Sequence, residues 1–158
     1  MSAHSESLLP PNDPADFESL CLDIWQAIWH DPGAQKNGRK GQPQTGVDVF
    51  GRDYNEWVGI QCKQKDGLLR SKVTAKELEE EVRNANNFEP PLSKFILATT
   101  GPADEAMQRR ARELTEKHHA KGLFTVEVWG WEKIWHEIYA RPELLLRIGP
   151  MPNPRSAA

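Results

Sequence analysis

Phe17, Leu20, Cys21, Ile24 and Ile28 recur at the three- and four-residue spacing that places side chains on one face of a helix. Asp13 stands before Pro14, a capping residue ahead of a proline whose missing N–H costs nothing in a first turn. A helix is therefore expected from about Asp13 to Trp29, ended by Asp31-Pro32-Gly33, with Glu18 bordering its apolar stripe. Val47-Asp48-Val49-Phe50 alternates apolar and polar, Trp57 to Lys63 can alternate likewise, and Gly51 to Glu56 can turn the chain between them, so the two read as an antiparallel hairpin. In its second strand Val58, Ile60 and Cys62 face one way and Trp57, Gly59, Gln61 and Lys63 the other. Thr74 and Glu77 form a capping box that opens a second helix, whose narrow stripe is Ala75, Leu78, Val82 and Ala85 and which ends before Pro90. Phe95-Ile96-Leu97-Ala98 reads as a strand covered on both faces. Gly101-Pro102 opens a third helix ending near Lys121-Gly122, Leu123 to Val128 is another strand, and Trp131, Ile134, Trp135 and Ile138 stripe a last helix. With a short first strand near Gln35 the order is α-β-β-β-α-β-α-β-α, an α/β protein.

The 158 residues suffice for one domain of ordinary size, expected over residues 13–148. Residues 1–12 are polar and Pro-rich and are expected to be disordered; residues 149–158, with three prolines, read as a flexible tail or linker. No apolar run approaches the ~18 residues a membrane span needs, and the N-terminus lacks the basic-then-apolar pattern of a secretory signal, so a cytoplasmic protein is expected. Cys21 and Cys62 read as buried free thiols, and no Cys/His set has zinc spacing. There is no Ser/His/Asp triad pattern and no phosphate-binding GxxxxGK[ST] loop. The net charge is only −3, but it is uneven: residues 1–34 hold six acids and no Lys or Arg, whereas residues 35–72 hold eight Lys/Arg against four acids. That local basic excess hints at a phosphate-bearing partner.

The basic segment contains the residues with chemistry to offer. If Val47 and Val49 pack with Val58, Ile60 and Cys62 on the core, then Asp48, Gln61 and Lys63 converge on the opposite face of the hairpin. Asp48 supplies a hard anionic oxygen for Mg²⁺, with Mn²⁺ as an alternative; the Gln61 side-chain oxygen and the Cys62 backbone carbonyl can complete the inner sphere. Lys63 would stand beside the attacking water of a phosphodiester hydrolysis. Glu18 is either a further ligand of the same metal or a solvated helix acid.

Gly46-Val47-Asp48 followed by Gln61-Cys62-Lys63 resembles the PD-(D/E)XK nuclease superfamily, most of all its Mrr-like restriction endonuclease branch. That branch has an acidic residue on a helix, a Gly-rich segment ending in Gln-x-Gly-x-Asp and a strand ending in Gln-x-Lys. Glu18, Gln44-Thr45-Gly46-Val47-Asp48 and Gln61-Cys62-Lys63 match these in order. The resemblance spans about Asp13 to Tyr139. It implies an αβββαβ restriction-endonuclease-like core with a central mixed sheet flanked by helices, Mg²⁺-dependent DNA cleavage, Asp48 as metal ligand and Lys63 as catalytic lysine. Val47 replaces the proline that names the superfamily, and Gln61 stands where the usual acid would be, as it does in this branch. A neutral amide holds Mg²⁺ more weakly than a carboxylate, which raises the demand on Glu18.

Around this set, Lys36, Arg39, Lys40, Lys65, Arg70 and Lys72 would neutralise DNA phosphates or simply solubilise the surface. Gln44 touches the phosphate or metal-bound water, or satisfies nearby backbone. Trp25 and Trp29 fall off the first helix's main stripe, and with Trp129, Trp131 and Trp135 they are either core or a partner surface. With no evident sequence-reading element, target choice would come from another domain, a partner subunit or self-association, as in the cutting modules of restriction or antiviral systems. A catalytically inactive DNA-binding or interaction module of the same fold, and a junction-resolving dimer, are the rival readings.

Overall fold

The computed structural model describes residues 9–38, 46–65 and 71–148. Five strands form one mixed sheet in the order β1-β2-β3-β4-β5: β1 (Gln35–Lys36), β2 (Val49–Asp53), β3 (Glu56–Lys63), β4 (Lys94–Thr99) and β5 (Thr125–Trp129). β1, β2 and β3 pair antiparallel, and β3, β4 and β5 parallel. Helix α1 (Pro14–Trp29) starts where Asp13 accepts the Ala15 N–H. Helix α2 (Ala75–Ala85) starts at the complete Thr74–Glu77 capping box, and α3 (Glu105–Ala120) at Asp104. Helix α4 (Trp131–Tyr139) carries the expected stripe, and α5 (Pro142–Ile148) follows it, a seven-residue helix that the sequence reading left inside the domain without assigning it.

The sheet separates two apolar layers, which explains the unbroken apolar run in β4. Ile96 and Ala98 join α1, α4 and α5 on one face; Phe95 and Leu97 join α2 and α3 on the other. Trp25, Trp29, Trp129, Trp131 and Trp135 all lie in the first layer, so none of them forms an open partner surface. Trp25 and Trp129 have ring centroids 5.0 Å apart, and Trp25 is fully buried although it lies off the stripe read from the sequence. Ile28, assigned to that stripe, is only half-buried. The helix is buried over a wider arc than the aliphatic spacing alone suggests. Among the described residues no helix is long and apolar enough to cross a membrane.

The hairpin differs from expectation where it matters most. β2 begins at Val49, and its turn is only Tyr54-Asn55. Val49 is the register partner of Ile60, yet the Ile60 carbonyl also accepts the Asp48 N–H at 2.7 Å. Two residues therefore stand against one, the count of a β-bulge, and the extra residue reverses the alternation behind it. Val49 faces α1, but Val47 packs in the layer of α2 and α3, against the open side of Gly59. The expectation that both valines share a face is thus corrected. So is the expectation that Asp48 projects from a face opposite the core, since an apolar layer covers each face of the sheet.

Candidate active site

The bulge aims Asp48 along the sheet rather than away from it. β2 has ended, and the Asp48 carboxylate takes up the pairing that backbone would otherwise make: its Oδ2 accepts the Cys62 N–H at 2.8 Å. Asn37, just past β1, holds the same segment from the other side, donating its backbone N–H to the Asp48 carbonyl and its Nδ2 to the Val47 carbonyl, both at 2.8 Å. Gly46 makes the approach possible. Its φ is +71°, and a Cβ there would lie 2.7 Å from the Asn84 Cβ at the end of α2.

Asp48 is 5% exposed, and its carboxyl is raised from 3.8 to about 6. Burial is the main cause; the Cys62 N–H opposes it, the charges of Glu18 and Glu81 add to it, and Lys63 again opposes. Glu18 is half-buried on α1, and its charge is felt at both Asp48 and Cys62. Gln61 lies half-buried on β3, and its side-chain oxygen is buried with no hydrogen-bond partner among the described residues. Lys63 ends β3 and places its ammonium 3.0 Å from Glu81 of α2.

Cys62 turns its side chain toward α1 and offers only its backbone to the site. Both cysteines are free. The Cys62 thiol is pushed well above its ordinary range by its hydrogen bond with Cys21, by burial and by the charges of Cys21, Asp48 and Glu18. A thiol so held is unreactive.

Of the cations expected to meet phosphates, Lys36 donates to Ser19 Oγ at 2.8 Å on the exposed β1 edge. Lys65 is paired with Glu77 and Lys72 with Asp104, both at 2.8 Å. Arg39, Lys40, Gln44 and Arg70 lie outside the described residues. Two functional residues escaped the sequence reading. Asn37 carries no motif. Glu81 is hidden in the run Glu79-Glu80-Glu81, but the capping box fixes the phase of α2 and places Glu77 and Glu81 one turn apart beside Leu78 and Val82, a signal that could have found it.

Among the described residues no group of three or more His, Cys, Asp or Glu side chains forms a metal cage on its own. The set is instead mixed: a carboxylate raised mainly by its burial and further by neighbouring acids, an amide oxygen without a donor among the described residues, and one lysine. An unsatisfied amide oxygen and a buried carboxylate with acids around it are donor chemistry that suits a hard divalent cation, so these residues fit one. Compared with known proteins, the chain matches no family model and no curated protein.

Proposed function

We propose that this protein is a Mg²⁺- or Mn²⁺-dependent DNA endonuclease with a restriction-endonuclease-like core. In this reading it is cytoplasmic and serves as the cutting module of a restriction or antiviral defence system. One observation carries the reading: Asp48, the donorless Gln61 oxygen and Lys63 belong to one short stretch where β2 gives way and β3 ends. The element order and the mixed sheet are compatible with it, and Glu18 and Gln61-Cys62-Lys63 supply the remaining groups of the resembling branch.

Asp48 and Gln61 would hold the cation, with Glu18 and the Cys62 carbonyl as further donors; when bound, the ion polarises the phosphate and makes its water a stronger nucleophile. The chain's own residues do the rest. The Cys62 N–H and Asn37 fix the direction of the Asp48 carboxylate before any ligand arrives. Lys63 supplies a cation beside the charge that develops on the phosphoryl oxygens. Lys36 is placed at the sheet edge to meet a neighbouring phosphate, whereas Lys65 and Lys72 would have to exchange a carboxylate for one. Choice of target would be left to another domain, a partner subunit or a second copy.

The test is incubation of the purified protein with plasmid DNA and Mg²⁺, Mn²⁺ or EDTA, with Lys63→Ala and Asp48→Ala alongside. Metal-dependent nicking lost in both variants is expected. Cutting that persists in both would overturn the reading. No cutting together with no metal bound by calorimetry would leave a binding module of this fold.

A further inference from the structure

Lys63 and Lys65 lie two residues apart at the end of β3 and just beyond it, and Glu77 and Glu81 lie four apart on α2. The two spacings match: about 6.6–6.8 Å along a strand and about 6 Å along a helix. The pairs form accordingly, Lys65 with Glu77 at 2.8 Å and Lys63 with Glu81 at 3.0 Å, so that α2 runs back along β3 on two ionic rungs. The rungs are not equivalent. Glu77 already serves the capping box with Thr74, and its rung anchors the start of the helix. Glu81 has no share in the cap. It is the less exposed acid, 13% against 30% for Glu77, and its charge reaches Asp48.

We infer that Glu81 is a positioning residue, which holds the Lys63 ammonium at the Asp48–Gln61 site while the Lys65–Glu77 rung sets the register of the helix that carries it. Lys63 has a flexible four-carbon stem and a partly exposed head, and without a fixed partner it would spread over several rotamers. Of the other anions its charge reaches, Asp48 already has an N–H partner and is held in place by it, and Glu77 is held by Lys65 and the capping box. A carboxylate on α2 therefore decides where the lysine charge sits. This deepens the nuclease reading and rests on it for the role of Lys63, but the pairing itself can be tested without any activity.

The experiment compares the full-length wild type with Glu81→Gln and Glu77→Gln in EDTA, using limited acetylation by a sulfonated succinimidyl ester followed by peptide mass spectrometry. Gln at 77 can still close a capping box, so helix α2 keeps its start. Glu81→Gln should raise the labelling rate of Lys63 at least threefold and leave that of Lys65 within twofold, and Glu77→Gln should do the reverse. Matching far-UV circular dichroism checks folding, and Glu81→Asp should fall between wild type and Glu81→Gln. An unchanged Lys63 rate in folded Glu81→Gln overturns the inference. In the plasmid assay Glu81→Gln should slow cutting at least tenfold, and Glu81→Asp, which keeps a carboxylate for Lys63, should recover part of that loss. Wild-type cutting by Glu81→Gln would also overturn it. If the wild type cuts nothing, the nuclease reading fails, and the labelling crossover still decides whether Glu81 holds Lys63.

Discussion

The Cys62 backbone N–H donates to the Asp48 carboxylate across 2.8 Å, so a side chain substitutes for backbone at the point where β2 leaves β3. The consequence is a carboxylate that is oriented before it binds anything, yet kept from water and set near other acids. The bond favours the charged form and burial disfavours it, and burial prevails: the Asp48 carboxyl rises to about 6.

That balance gives stability a definite pH dependence. A carboxyl raised in the folded state contributes most below its unfolded value of 3.8, and the contribution is lost as pH rises through about 6. Integrated over that window the loss is about 3 kcal/mol. Asp48→Asn removes the ionisation, so in EDTA it should be near wild type at pH 4 and gain up to about 3 kcal/mol on it by pH 7. Urea unfolding at four pH values checks this, and parallel profiles for the two proteins would contradict it. Mg²⁺ at pH 7 should raise the stability of the wild type and not of Asp48→Asn.

Gln61 carries a comparable cost that serves no fold. Its buried oxygen lacks a donor, which costs about 1–3 kcal/mol. Gln61→Met keeps the length and removes the unsatisfied group, so in EDTA it should unfold at higher denaturant concentration. It should also lose the stabilisation by Mn²⁺ that is expected of the wild type. A variant both less stable and still responsive to Mn²⁺ would mean that the oxygen is satisfied in solution and takes no part in cation binding.

The outline of the fold was legible because its signals are local. The Asp13-Pro14 start, the Thr74–Glu77 capping box and the doubly covered run at Phe95 each name an element through backbone chemistry confined to a few residues. The strand near Gln35 is two residues long, too short to carry an alternation of its own. The candidate site was less legible. Asp48, Gln61, Lys63 and Glu18 can be picked out by residue type, but period-2 alternation predicts one shared face, and a single extra residue opposite Ile60 breaks that rule. Glu81 was missed for a different reason. The capping box gives the phase of α2 and aligns Glu81 with Glu77, but that these two acids meet Lys63 and Lys65 is a tertiary fact.

Gly46 brings the two levels together and supplies the sharpest test of the bulge. Within Gln44-Thr45-Gly46-Val47-Asp48 the glycine could be read as a motif letter, but its φ of +71° and its contact with α2 give it a physical reason. An added Cβ would stand 2.7 Å from the Asn84 Cβ and 2.8 Å from the Ala85 backbone nitrogen, and neither is the free end of a flexible side chain. Alanine also pays about 1–2 kcal/mol for the left-handed conformation. Gly46→Ala should therefore destabilise by about 2 kcal/mol or more, the clash adding to the backbone term. Because relief requires Val47 and Asp48 to move away from α2, the same variant should weaken Mn²⁺ binding by calorimetry even where it remains folded. Gly51→Ala is the control: its Cβ would meet Ala34 and Trp29 in the other layer, so it should destabilise without a matching loss of Mn²⁺ affinity. Equal losses of affinity in the two folded variants would show that general loosening, and not the path of the chain into Asp48, governs the site.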